Sequence, residues 1–171
     1  MSTTIVLMGV AGVGKSSVAA ALHRSLGWPF AEGDDFHPQS NVAKMRSGVA
    51  LDDDDRWPWL AAIATWIGKQ ESVASDAIVT CSALKAGYRA ALLQDHPSIW
   101  FVHLMAPSEV IASRLARRVG HFMPPSLMTS QLDQLEPLRA GEPGVTVTAT
   151  DSADAAAAAI EILLRTSGRL L

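Results

Sequence analysis

The sequence predicts an α/β fold, a parallel sheet with helices on both faces. Three observations point there. Short runs that are apolar throughout alternate with helical periodicities over five units. Those runs lack the polar alternation of a sheet with one wet face, so both faces must be covered. A glycine-rich loop, Gly9 to Ser16, joins the first strand to the first helix.

The elements follow in order. Residues 4–8 form a strand that stops at Gly9. Residues 15–26 carry Val18, Leu22 and Leu26 four apart, with Gly27 as a helix C-cap. A weaker strand is expected at 29–33 and a polar helix over about 38–47. The acids Asp52–Asp55 lead into a helix whose Leu60, Ile63, Ala64 and Ile67 share one face, with Pro58 in its first turn. Ala77–Cys81 is a strand, Leu84–Leu93 a helix, Ile99–Met105 a strand and Pro107–Arg118 a helix. Residues 120–143 break the rhythm with prolines and glycines around a short helix near 126–136. Val145–Thr148 is the last strand, and Asp151 or Ser152 caps a helix reaching about Arg165.

Composition bounds the function. A chain of 171 residues is one ordinary domain. With 49% hydrophobic residues it is neither disordered nor a disulfide scaffold. A net charge of −3 excludes a cationic sheath for nucleic acid. The lone cysteine, Cys81, fits a reducing compartment. No signal peptide or membrane span is readable, so the cytoplasm is the expected location.

The chemistry begins at Gly9-Val10-Ala11-Gly12-Val13-Gly14-Lys15-Ser16, which matches GxxxxGK[ST]. Successive backbone N–H groups of such a loop curl around phosphate oxygens, and the helix N-terminus adds partial positive charge. Lys15 is expected to reach the β- and γ-phosphates, and the Ser16 hydroxyl to hold Mg²⁺. Ser17 continues the loop. No Asn-Lys-x-Asp motif for guanine occurs, which favours ATP. A small phosphotransferase and an ATP-binding module without transfer both remain open.

Glu32-Gly33-Asp34-Asp35-Phe36-His37-Pro38 follows the weak second strand, at the sheet's carboxyl edge, where ligands bind in such folds. Asp34 is read as the base for an acceptor hydroxyl, and Asp35 as a turn residue. Arg114, Arg117 and Arg118 end one helix before the irregular stretch, with Arg114 and Arg118 on one face. They read as the cationic base of a lid over ATP. Most of Asp52–Asp55 reads as helix capping. Arg56 opposes the dipole of its own helix, so a carboxylate partner or ligand is expected. Ser82 ends a strand beside the ligand edge, and Cys81 reads as an inert core residue. No aspartate follows that strand, so a second metal-holding acid is missing there.

Together these residues resemble the gluconokinase family. The resemblance rests on Met8 to Ser16, Gly33-Asp34-x-x-His37-Pro38, Asn41-x-x-Lys44-Met45-x-x-Gly48 and Asp53-Asp54-Asp55-Arg56-x-Pro58-Trp59-Leu60. It continues through Cys81-Ser82-Ala83-Leu84-Lys85-x-x-Tyr88-Arg89 and Arg114-Leu115-x-x-Arg118-x-Gly120-His121-Phe122. It covers about residues 5 to 136. It implies a three-layer P-loop kinase fold with a five-stranded parallel sheet, a mobile lid at about 120–143, and a homodimer. It also implies transfer of the ATP γ-phosphate to D-gluconate. Lys15, Asp34 and Arg118 are then the catalytic candidates. His37, Arg56, Ser82, Arg89 and His121 have the right chemistry, with Asp34, for a linear sugar acid. A shikimate or nucleoside-monophosphate kinase and an ATP sensor are the alternatives.

Overall fold

The structure is a computed structural model that describes residues 2–117, 125–149 and 151–170. In chain order it comprises β1 (Thr4–Met8), α1 (Lys15–Leu26), β2 (Phe30–Ala31), a 3-10 turn (Gly33–Phe36) and α2 (Gln39–Arg46). Then come α3 (Asp53–Ser72), β3 (Ala77–Thr80), α4 (Ala86–Leu93), β4 (Ile99–Met105) and α5 (Ser108–Ala116). α6 (Pro125–Gln134), β5 (Gly144–Thr148) and α7 (Ala153–Thr166) complete it.

The five strands pair in the order β2-β3-β1-β4-β5, all in parallel. β1 lies at the centre and is buried at every position. Its alternating side chains feed two cores. Ile5 and Leu7 pack with Val18 and Leu22 of α1, Ile111 of α5 and Ile160 of α7. Val6 and Met8 pack with Trp59, Ile63 and Ile67 of α3 and Tyr88 and Leu92 of α4. This is the three-layer arrangement expected from the uniformly apolar runs.

The differences from expectation lie at element ends. β2 is two residues long because the chain must turn at once into the 3-10 segment. A Cβ at Gly33 would stand 1.9 Å from the Thr80 carbonyl oxygen, so only glycine lets this turn lie against β3. α4 starts at Ala86 rather than Leu84, because Ala83 takes a left-handed φ of 42°. The acids before α3 do cap it: Asp52 and Asp55 form a reciprocal capping box.

The stretch after α6 is fastened to the body. The Glu136 N–H donates to the Leu84 carbonyl at 2.7 Å. Among the described residues, no helix is long and apolar enough to cross a membrane.

Candidate nucleotide and acceptor site

The loop after β1 divides the carboxyl edge of the sheet into two halves. On the β4–β5 side, Gly14 takes φ 106° at the N-cap of α1, a left-handed angle that favours glycine, and so turns the loop into the helix. Lys15 opens α1, and its Nζ donates back to the carbonyls of Gly9 and Val10 at 2.9 and 3.0 Å. Arg114 of α5 donates Nη1 to Val13 O at 2.7 Å and Nη2 to Ala149 O at 2.6 Å. It thereby ties the loop to the segment after β5. Between them opens a cleft of about 380 Å³, lined by Gly12, Val13, Gly14, Ser17, Arg114, Arg117, Ala149 and residues 151–153.

The loop's chemistry fits a polyphosphate. The Ala11 N–H donates at 2.7 Å to the side-chain oxygen of Gln131 on α6. An amide oxygen thus sits where the loop offers its donors to an oxyanion. Ser16 stands beside Lys15 in the first turn of α1. Among the described residues, no group of three or more His, Cys, Asp or Glu can hold a metal ion. Ser16 fits Mg²⁺ only as a single protein ligand, with phosphates and water completing the shell.

The other half lies beyond β3 and β2. Ser82 is half-buried at the end of β3, and its carbonyl accepts from the Gly9 N–H at 3.2 Å. Asp34 is exposed on the 3-10 turn. Cys81 is buried, and burial pushes its thiol up to about 12, which keeps it inert. The charges of Lys15, Asp34 and Arg56 all act on that thiol.

His37 stacks on Trp59, with ring centroids 4.4 Å apart and planes 10° from parallel. Trp59 is itself held by Nε1 donating to Gly33 O at 2.7 Å. Burial lowers the His37 pKa, partly opposed by the Asp34 charge, while Arg56 adds to the lowering.

Arg56 is only 7% exposed. Its Nη1 donates to the Tyr88 hydroxyl at 2.9 Å and to Gln134 Oε1 at 2.5 Å. Among the described residues it forms no salt bridge. Asp53 reaches it through the Tyr88 hydroxyl, which donates to Asp53. Lys85 takes up the same carboxylate at 2.7 Å.

Arg89 does not join this site. Its side chain is fully buried and its partners lie just before α4 and in the stretch after α6. Nε and Nη2 grip Glu142 at 2.6 and 3.0 Å. Nη1 and Nη2 also serve the carbonyls of Ala83, Leu84, Glu136 and Pro137. Every donor is engaged, so the expected substrate contact is replaced by a structural clamp. Arg118 and His121 lie outside the described residues. Gln131 and Gln134, which touch the loop and Arg56, carried no signal in the sequence beyond their spacing of three on one helix.

The AAA domain family matches residues 5–138. A gluconokinase of Gluconobacter oxydans is 48% identical over 84% of this chain and 80% of its own length. A sugar kinase structure from Janibacter sp. superposes with a TM-score of 0.91 at 38% identity, over 100% of this chain and 99% of that one. A gluconokinase structure from Sinorhizobium meliloti gives 0.85 at 40% identity, over 97% and 95%.

Proposed function

The chain belongs to the gluconokinase family, and we propose that it moves the γ-phosphoryl group of ATP onto a hydroxyl of D-gluconate. The observation that carries this reading is Arg56. A buried guanidinium without a carboxylate partner among the described residues, beside Asp34 and His37, suits an acid group brought in by a ligand. The cleft between the loop and α5 suits the nucleotide on the opposite side of β1.

In this reading the loop amides bind the phosphates, and Lys15 leaves its carbonyl partners to follow the transferred group. Mg²⁺, when bound at Ser16, neutralises phosphate charge. Asp34 takes the proton of the attacking hydroxyl and orients it, His37 and Ser82 hold neighbouring hydroxyls, and Arg56 holds the carboxylate. α6 is the part that must yield, since Gln131 and Gln134 occupy donors on both sides. Arg118 is proposed to bring charge to the phosphates and His121 to meet the acceptor. The whole chain acts as one cytoplasmic domain in a homodimer.

Coupled ADP release with gluconate, glucose, shikimate and AMP tests the reading. Rapid release with gluconate alone is expected. Preference for shikimate or AMP, or ADP release independent of any acceptor, would overturn it.

A further inference from the structure

The side chain of Asn41 reaches the ring of His37. Asn41 lies on α2 and is 2% exposed. Its Nδ2 donates to the backbone carbonyl of Asp55 at 2.7 Å. A carbonyl oxygen can only accept, so this bond fixes which end of the amide is nitrogen. The same Nδ2 lies 3.1 Å from Nδ1 of His37. An amide nitrogen is a donor and offers no lone pair, so Nδ1 must be the acceptor. The ring proton is then on Nε2.

The ring cannot easily turn to escape this choice, because Trp59 stacks beneath it and is pinned to Gly33. The groups that face the ring are Asp34 on the 3-10 turn, Arg56 on α3 and Asn41 on α2. The carboxylate of Asp55, next to Arg56, is already engaged by Lys44 at 2.7 Å and accepts from the Asp52 backbone N–H at 3.0 Å. Among the described residues no carboxylate therefore contacts Nδ1.

We propose that Asn41 is a positioning residue that locks His37 as a neutral imidazole with its proton on Nε2, so that His37 donates a hydrogen bond to an acceptor hydroxyl oxygen and does not serve as a base. The assignment rests on the acceptor-site reading above. It divides the labour at that site: with Nδ1 capped and Nε2 protonated, His37 has no free lone pair, and Asp34 alone can take the proton.

The test is long-range ¹H–¹⁵N correlation of the histidine rings near neutral pH, with His37 assigned by its loss in His37→Gln. An acceptor-type resonance at Nδ1 and a protonated one at Nε2 are expected, and the Nε2 signal should move on addition of gluconate. A proton on Nδ1, or an even mixture of tautomers, overturns the lock whatever the substrate is. The expected tautomer with an Nε2 signal indifferent to gluconate overturns the donor role. Absence of gluconate-dependent ADP release, by contrast, overturns the reading beneath it.

Asn41→Asp supplies a second arm. A carboxylate there draws the proton to Nδ1 and favours imidazolium. KM for gluconate should rise roughly tenfold, the worth of one hydrogen bond, with KM for ATP little changed. A new ionisation should also enter the pH profile of kcat/KM for gluconate. Equal losses for ATP and gluconate with an unaltered profile would mean that Asn41 only holds α2 to α3.

Discussion

Two buried arginines, thirty-three positions apart in the chain, show how one residue type serves opposite ends. Arg89 is spent. A bidentate carboxylate and four carbonyls absorb its donors, and it staples α4 to the stretch after α6. Arg56 is held in reserve. It is nearly as buried, but a phenol and an amide hold only Nη1, and among the described residues no carboxylate pairs with it directly, Asp53 acting on it through the Tyr88 hydroxyl and at a distance. A buried charge that is fully paired stabilises the fold against removal of either partner. One left incompletely paired is a cost the fold carries, and a ligand can relieve it. Paired burial thus marks structure here, and the incompletely paired arginine is the one proposed to meet the acceptor.

The largest effect expected on the Arg56 side belongs to its neighbour Asp34. Asp34→Asn keeps shape but loses the proton acceptor, so kcat should fall about 10²–10⁴-fold with ATP binding intact. Retention of more than about a tenth of wild-type kcat would reduce Asp34 to a positioning contact.

On the Arg89 side the effect should fall on stability. Arg89→Met strands the Glu142 carboxylate and several carbonyls, at a cost of about 3–5 kcal/mol. For a chain of this size that lowers Tm by roughly 6–20 °C. The pH dependence sharpens the point. The hydrogen bond from Arg89 holds the Glu142 pKa below its ordinary value. A depressed folded pKa contributes stability above the unfolded carboxylate pKa, near 4.3, and loses it as the pH falls through the folded value. Wild type should therefore lose stability on acidification through this pair, and Arg89→Met should lack that part of the decline. Melting curves from pH 7 down to 3 check both. An Arg89→Met protein that melts like wild type but rejects gluconate would restore Arg89 to the substrate site.

The smallest expected change comes from Gln134→Ala. Gln134 occupies Nη1 of Arg56 in the absence of ligand, and a hydrogen bond is worth about 0.5–1.5 kcal/mol net. Its removal should lower KM for gluconate about two- to tenfold. A rise in KM would make Gln134 a partner of the substrate rather than a placeholder for it.

What the sequence revealed, and what it hid, follows the same division. β1, the glycine loop and the capping acids are local features, and each appears where its residues predict. Asp34, His37, Arg56 and Ser82 could be nominated because their types suit the chemistry at strand ends and at a helix start, and their roles rest on the proposed function. Arg89 misled because its partners Glu136 and Glu142 lie 47 and 53 residues away. No spacing rule links them. The left-handed turn at Ala83, which sets the start of α4, has no glycine to announce it. Asn41 acts through the carbonyl of Asp55, a backbone atom whose position no side-chain pattern encodes.

Arg56 is proposed to be kept for the acid group of the acceptor. Its most direct test is the ratio of kcat/KM for gluconate over glucose in wild type and in Arg56→Met, with Tm measured on both. Methionine of similar length removes an incompletely paired charge, so Tm should hold within a few degrees or rise. The wild-type ratio should be at least two to three decades, from the cost of about 3–5 kcal/mol for leaving a buried arginine opposite a neutral sugar. In Arg56→Met that preference should collapse through loss of gluconate turnover. A variant that stays folded and keeps the wild-type preference would contradict the account and move the carboxylate anchor elsewhere.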